Sequence, residues 1–124
     1  MGIPGYSANG NVVLGNTGHV AAASATGIAI GVTGYTMAGD TTVGNSGLIE
    51  AAGDIGSYGI LAQSYYGNVV VNNTATGDVE ATGGATAIAL LANAVDGDAT
   101  INNAGVIHAA SADFTAAVKF EGLY

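Results

Sequence analysis

Glu50, Glu80 and His108 hold matching places in a phrase the chain writes four times, "HVAA", "LIEA", "DVEA" and "VIHA", with Ala21 at the same place in the first copy. On strands stacked roughly 5 Å apart, a carboxylate pair with a histidine beyond it could bind a cation or share a proton. A solvated face that tolerates modest repulsion accounts for the same pattern, because His19 is out of register and no third carboxylate converges. Asp96-Gly97-Asp98, partly repeated at Asp40, has the look of a calcium turn, yet the nonapeptide calcium repeat is far denser in GGxGxD. Ordinary turn chemistry explains it. Two carboxylates flanking a cleft would suit a glycosidase, and spacing alone does not decide that question. A lyase needing a strong cation has only Lys119 available, and neither His19 nor His108 lies in a nucleophile motif. The reading is therefore non-enzymatic, with no catalytic residue, no cofactor and no metal ligand assigned.

Six tyrosines are the other candidates. Tyr35, Tyr65 and Tyr66 are placed in the loops joining one repeat to the next, Tyr58 in another turn, and Tyr6 and Tyr124 at the ends. Their faces could stack on a carbohydrate, cover the edge of the core, or pack against a neighbouring molecule.

Composition narrows the partners. Nine acidic residues face one basic residue, giving a net charge of −8, so nucleic acid is excluded: phosphate contacts depend on Lys/Arg clusters. No apolar run approaches the roughly 20 residues of a membrane helix, and no membrane insertion is expected. The opening "MGIPGYSANG" lacks the basic and apolar regions of a signal peptide. Export information has been removed, or the chain is a piece of something larger. There is no cysteine, which excludes disulfides and thiolate metal sites.

The elements that would position these residues follow from a repeat. Gly followed by Asn or Asp recurs at Gly10-Asn11, Gly39-Asp40, Gly67-Asn68 and Gly97-Asp98, at spacings of 29, 28 and 30 residues. Each opens a phrase with an aliphatic residue fourth (Leu14, Val43, Val71, Ile101) and an asparagine sixth (Asn16, Asn45, Asn73, Asn103). A second apolar column is Val20, Ile49, Val79 and Ile107. A third is read as Ile28, Ile60, Ile88 and Val118, followed two residues later by Ile30, Ala62, Leu90 and Phe120. The length differences are placed in the turn before it, where "AAGDIGSYG" and "AASADFTA" are taken as longer than "AASATG". Apolar and polar residues alternate at a period of two, which signals strands, and the glycines oppose helix. Three strands per copy at this period predict a single-domain, all-β parallel β-solenoid, right-handed by the usual crossover chirality, with coils at about 10–38, 39–66, 67–96 and 97–124. Four coils at roughly 4.8 Å each give a stack about 19 Å tall.

Asn16, Asn45, Asn73 and Asn103 are read as an inward amide ladder, each hydrogen-bonded to the next coil; a simple turn preference is the other reading. The phrases "VGNSGLIEAAG…YGILA" and "INNAGVIHAASA" resemble the β-helical repeats of bacterial autotransporter and filamentous-haemagglutinin-type secreted passengers, over residues 10–120. The resemblance implies a bacterial extracellular or cell-surface protein and is compatible with adhesins, stalks and enzymes. A solenoid leaves unpaired strands at both ends, and neither "MGIPGYSANG" nor "AAVKFEGLY" reads as a cap. The expected function is a structural subunit stacking head to tail on its own copies into filaments. An adhesin fragment binding carbohydrate through Tyr65 and Tyr66 is the alternative, and a polysaccharide-active enzyme the third.

Overall fold

The computed structural model describes residues 2–121. Thirteen strands follow one another without a helix among the described residues: β1 (Ile3–Ser7), β2 (Val12–Asn16), β3 (His19–Ser24), β4 (Ile28–Thr36), β5 (Thr41–Asn45), β6 (Leu48–Gly53), β7 (Gly56–Ser64), β8 (Val69–Asn73), β9 (Asp78–Gly83), β10 (Thr86–Ala94), β11 (Ala99–Asn103), β12 (Val106–Ala110) and β13 (Phe114–Glu121). Every pairing is parallel and joins a strand to its equivalent one coil away. The result is a three-sided β-solenoid. A leading sheet runs β2-β5-β8-β11, a trailing sheet β3-β6-β9-β12, and a long sheet β1-β4-β7-β10-β13. Coil and crossover are one object, so the parallel sheets need no helical connections.

On the leading and trailing sheets the predicted columns are paired as read. Leu14, Val43, Val71 and Ile101 are successive partners, as are Val20, Ile49, Val79 and Ile107. Val43, Ile49, Val71 and Val79 fill the interior with almost no exposure.

The third column is corrected. Ile60 and Val118 share one, but their fellows are Val32 and Leu90. Ile28 pairs with Gly56 and is 55% exposed, while Ile88 pairs with Tyr58 and Ala116. The companion column moves as well: Gly34, Ala62, Ala92 and Phe120 are partners, and Ile30 and Leu90 belong elsewhere. The cause is turn length. In register, Ser24 to Ile28 is four steps where the paired Gly53 to Gly56 and Gly83 to Thr86 are three, and Ala110 to Phe114 matches Thr82 to Thr86. "AASATG" therefore carries the longest of the four turns, opposite to the expectation. The long strands also bend inside their own length. Gly31 and Val32 are both buried, breaking the alternation, and a Cβ at Gly31 would come within 2.5 Å of Ile49 Cγ2 and 2.7 Å of the Gly59 carbonyl. Glycine lets the elbow close onto the trailing sheet.

A further finding concerns the N-terminal segment, which precedes the first expected coil and does not read as a cap. "IPGYS" is β1, paired with Val32–Thr36 of β4, and it gives the long sheet a fifth strand. The described stack is thus four coils plus one partial side.

Candidate functional site

Each coil is locked to the next at two corners by ladders of hydrogen bonds, each with a single direction and the two opposite to one another. At the corner between leading and trailing strands, Asn16 Nδ2 donates to Asn45 Oδ1 at 2.9 Å, Asn45 Nδ2 to Asn73 Oδ1 at 2.9 Å, and Asn73 Nδ2 to Asn103 Oδ1 at 2.8 Å. The same Nδ2 groups also reach backbone carbonyls of their own coil (Gly18, Gly47, Gly77) and of the coil above (Leu48, Asp78, Val106). Asn16, Asn45 and Asn73 are buried, and full pairing is what makes a buried amide tolerable. The Gly-Asx corner runs a second ladder. The backbone N–H of Asp40 donates to Asn11 Oδ1, that of Asn68 to Asp40 Oδ1, and that of Asp98 to Asn68 Oδ1, at 2.8–2.9 Å.

The recurrent glycines have a steric cause. A Cβ at Gly67 would lie 2.0 Å from the Gly39 carbonyl oxygen and one at Gly97 2.2 Å from that of Gly67. In the other corner, Gly47 would strike Gly18 O at 2.0 Å and Gly105 would strike Gly77 O at 2.2 Å. In each case the preceding coil's carbonyl occupies the space a side chain would need. The first coil differs. Gly18 has nothing within 4 Å of its absent Cβ, and Gly10 has only Ser7 Oγ at 3.4 Å.

The two ends are consequently unlike. At the C-terminal end the inward residues of the last coil are uncovered: Val118 is 39% and Phe120 54% exposed, and Asn103 is exposed. Among the described residues Asn103 Nδ2 donates only to its own corner, at Gly105 O, and no further backbone N–H reaches the Asp98 carboxylate. At the N-terminal end Val12, Asn16 and Val20 are buried, Asn16 Oδ1 accepts only from Gly18 N, and β1 lies over part of the opening. One end offers an amide donor and a carboxylate; the other offers an amide oxygen and the Asn11 N–H.

The flanks hold the remaining candidates. Ala21, Glu50, Glu80 and His108 do share a register, beside a shallow recess lined in part by Ala21, Ala23, Glu50, Glu80 and Thr82. His19, although one place out of register, reaches diagonally to Glu50 with Nε2 2.5 Å from Oε2. Among the described residues no three His, Cys, Asp or Glu groups converge as a metal site. Asp96, Asp98 and Asp40 sit in corner turns, where the Asp40 carboxylate, like the side chains of Asn11 and Asn68, accepts a backbone N–H.

The tyrosines are partly relocated. Tyr65 and Tyr66 occupy the turn after β7, edge to face with centroids 4.7 Å apart. Tyr35 is in β4, not in a loop, and its ring stacks on that of Tyr6 at 5.5 Å, because the two are partners in the β1–β4 pairing. Tyr58 is in β7 rather than a turn, and Tyr124 lies outside the described residues. Sequence reasoning missed the Tyr6–Tyr35 pair because it rests on β1. Similarly, the pair Asn72–Asn102 forms an outward rung of 2.8 Å that the spacing of the two residues would have shown.

No family model, curated protein or solved structure matches the chain.

Proposed function

We propose that the protein is a non-enzymatic structural subunit, working outside the cell or on its surface, whose copies stack end to end into β-solenoid filaments. The observation that carries this reading is the pair Gly10 and Gly18. In every later coil the equivalent glycine is required by a carbonyl from the coil beneath, whereas in the first coil nothing lies there to require it. A preceding copy would place its Gly97 and Gly105 carbonyls at those two positions. The ladders support the same arrangement: Asn103 of one copy would donate to Asn16 of the next, and Asn11 N–H would donate to Asp98. Non-closing contacts of this kind give open fibres, and unpaired parallel edges provide the backbone partners.

Electron microscopy of the purified protein across a concentration series tests this. Uniform fibres with an axial repeat near 19 Å, four steps of about 4.8 Å, are expected. Discrete particles at every concentration would overturn the reading. A second reading, a surface adhesin, draws on Tyr65 and Tyr66, whose rings are both exposed in one turn. Saturable glycan binding lost in Tyr65→Ala/Tyr66→Ala would favour it.

A further inference from the structure

We propose that β1 is a displaceable cover that regulates this stacking, occupying the place that β13 of the preceding copy takes in the filament. The inference rests on the end-to-end reading above. The long sheet has five strands and the other two have four. If β11 and β12 of one copy pair with β2 and β3 of the next, then β13 must lie on the outer edge of the next copy's β4, which is where β1 now sits.

β1 imitates the missing strand in part. Ile3 stands in the column of Val32, Ile60, Leu90 and Val118, and Gly5 in that of Gly34, Ala62, Ala92 and Phe120. Ser7 Oγ accepts the Gly10 N–H at 2.9 Å just as Ser64 Oγ accepts the Gly67 N–H. The imitation is short. β1 pairs with Val32–Thr36 only; beyond that pairing Gly2 N donates to Ile30 O at one end, and Met37 N and Ala38 N donate to Ser7 O and Ala8 O at the other. β13 is three residues longer, and its register through β10 and β7 matches it to residues 28–35 of β4. It would pair along β4 on both sides of the elbow, where Gly2 alone now packs on Gly31. Pro4 also removes one donor from the free side of β1, a common way of blunting an edge.

Shape favours the exchange. Phe120 is the largest member of its column, and Gly34, against which stacking would place it, has no side chain. Releasing β1 gives up a five-residue pairing, the flanking backbone bonds, the Tyr6–Tyr35 stack and the packing of Ile3. The joint gains three strand pairings and one rung of each polar ladder. Stacking is therefore favoured once β1 moves, and β1 sets how often an end is ready, as in domain exchange.

The test uses the full chain with Tyr6→Cys/Tyr35→Cys. These positions are partners on neighbouring strands, about 4.8 Å apart at Cα, within disulfide range, and the natural chain contains no cysteine. Fibre growth is followed by light scattering with and without reductant, and wild type is run alongside. Oxidised protein, with β1 locked down, should assemble at least tenfold more slowly than the same protein reduced. Reduced fibres should show the repeat of about 19 Å. Equal rates in the two redox states would overturn the proposal while leaving the filament reading intact. So would wild-type fibres repeating at about 24 Å, five ladder steps, because β1 would then be retained and paired with β13. Absence of fibres from wild type and from the reduced variant would overturn the end-to-end reading, and this inference with it.

Discussion

The third and fourth coils carry nearly the same phrases and live in different surroundings. Leu90 is fully buried and its partner Val118 is 39% exposed; Asn73 is buried and its partner Asn103 is exposed. What separates them is only whether another coil lies above. Burial in this molecule is therefore a property of position in the stack, so a residue's energetic weight depends on coverage rather than on its identity.

Substitution in matched pairs sharpens or breaks that contrast, and urea midpoints at constant m measure it. The largest effect is expected for Leu90→Ala, which removes a fully buried side chain and should cost about 3 kcal/mol. Val118→Ala should cost below about 1 kcal/mol, since an exposed site forfeits less apolar burial; equal losses would mean the last coil is covered in solution. Asn73→Ala comes next, at about 2 kcal/mol, because it removes two rungs at once, to Asn45 Nδ2 and Asn103 Oδ1, with the bonds Asn73 makes to the Gly77 and Val106 carbonyls. Asn103→Ala should cost about 0.5 kcal/mol in dilute monomer, and its cost should rise with protein concentration if copies stack. Gly67→Ala should then destabilise by about 1.5 kcal/mol through its clash with the Gly39 carbonyl. Gly18→Ala, with open space at its Cβ, should be nearly neutral in the monomer and slow fibre growth. The smallest effect belongs to His19→Ala. Its ion pair with Glu50 is exposed on both sides, so a change within about 0.5 kcal/mol is expected.

The leading and trailing sides were legible in the sequence because the distance from each Gly-Asx mark to the following asparagine does not change, and the one insertion, before Gly77, falls between two recognisable residues. The long side was misread for a physical reason. Its strands bury residues on both sides of an elbow, so apolar residues at Ile28, Ile30, Val32, Ile60, Leu61, Ile88, Leu90 and Leu91 do not mark a single face. Ile28 and Ile30 alternate as a strand should, yet both precede the elbow, and the column with Ile60 belongs to Val32. Aligning Gly31 with Gly59, each followed by a β-branched residue, would have found the register. β1 escaped notice because Pro4 and Gly5 argue against a strand, and only an edge accommodates them. The amide ladder could be inferred from spacing, but its direction is a matter of which atom faces which neighbour, and no residue pattern encodes that.

That direction has a kinetic consequence. Because each ladder keeps a single direction along the axis, copies stacked as proposed would have two chemically different tips however many were joined. On the proposed exchange, an incoming subunit at one tip would first free its own β1, while at the other the β1 already on the tip would have to leave. The two tips would therefore advance at unequal rates, and fluorescently seeded fibres should grow mostly in one direction.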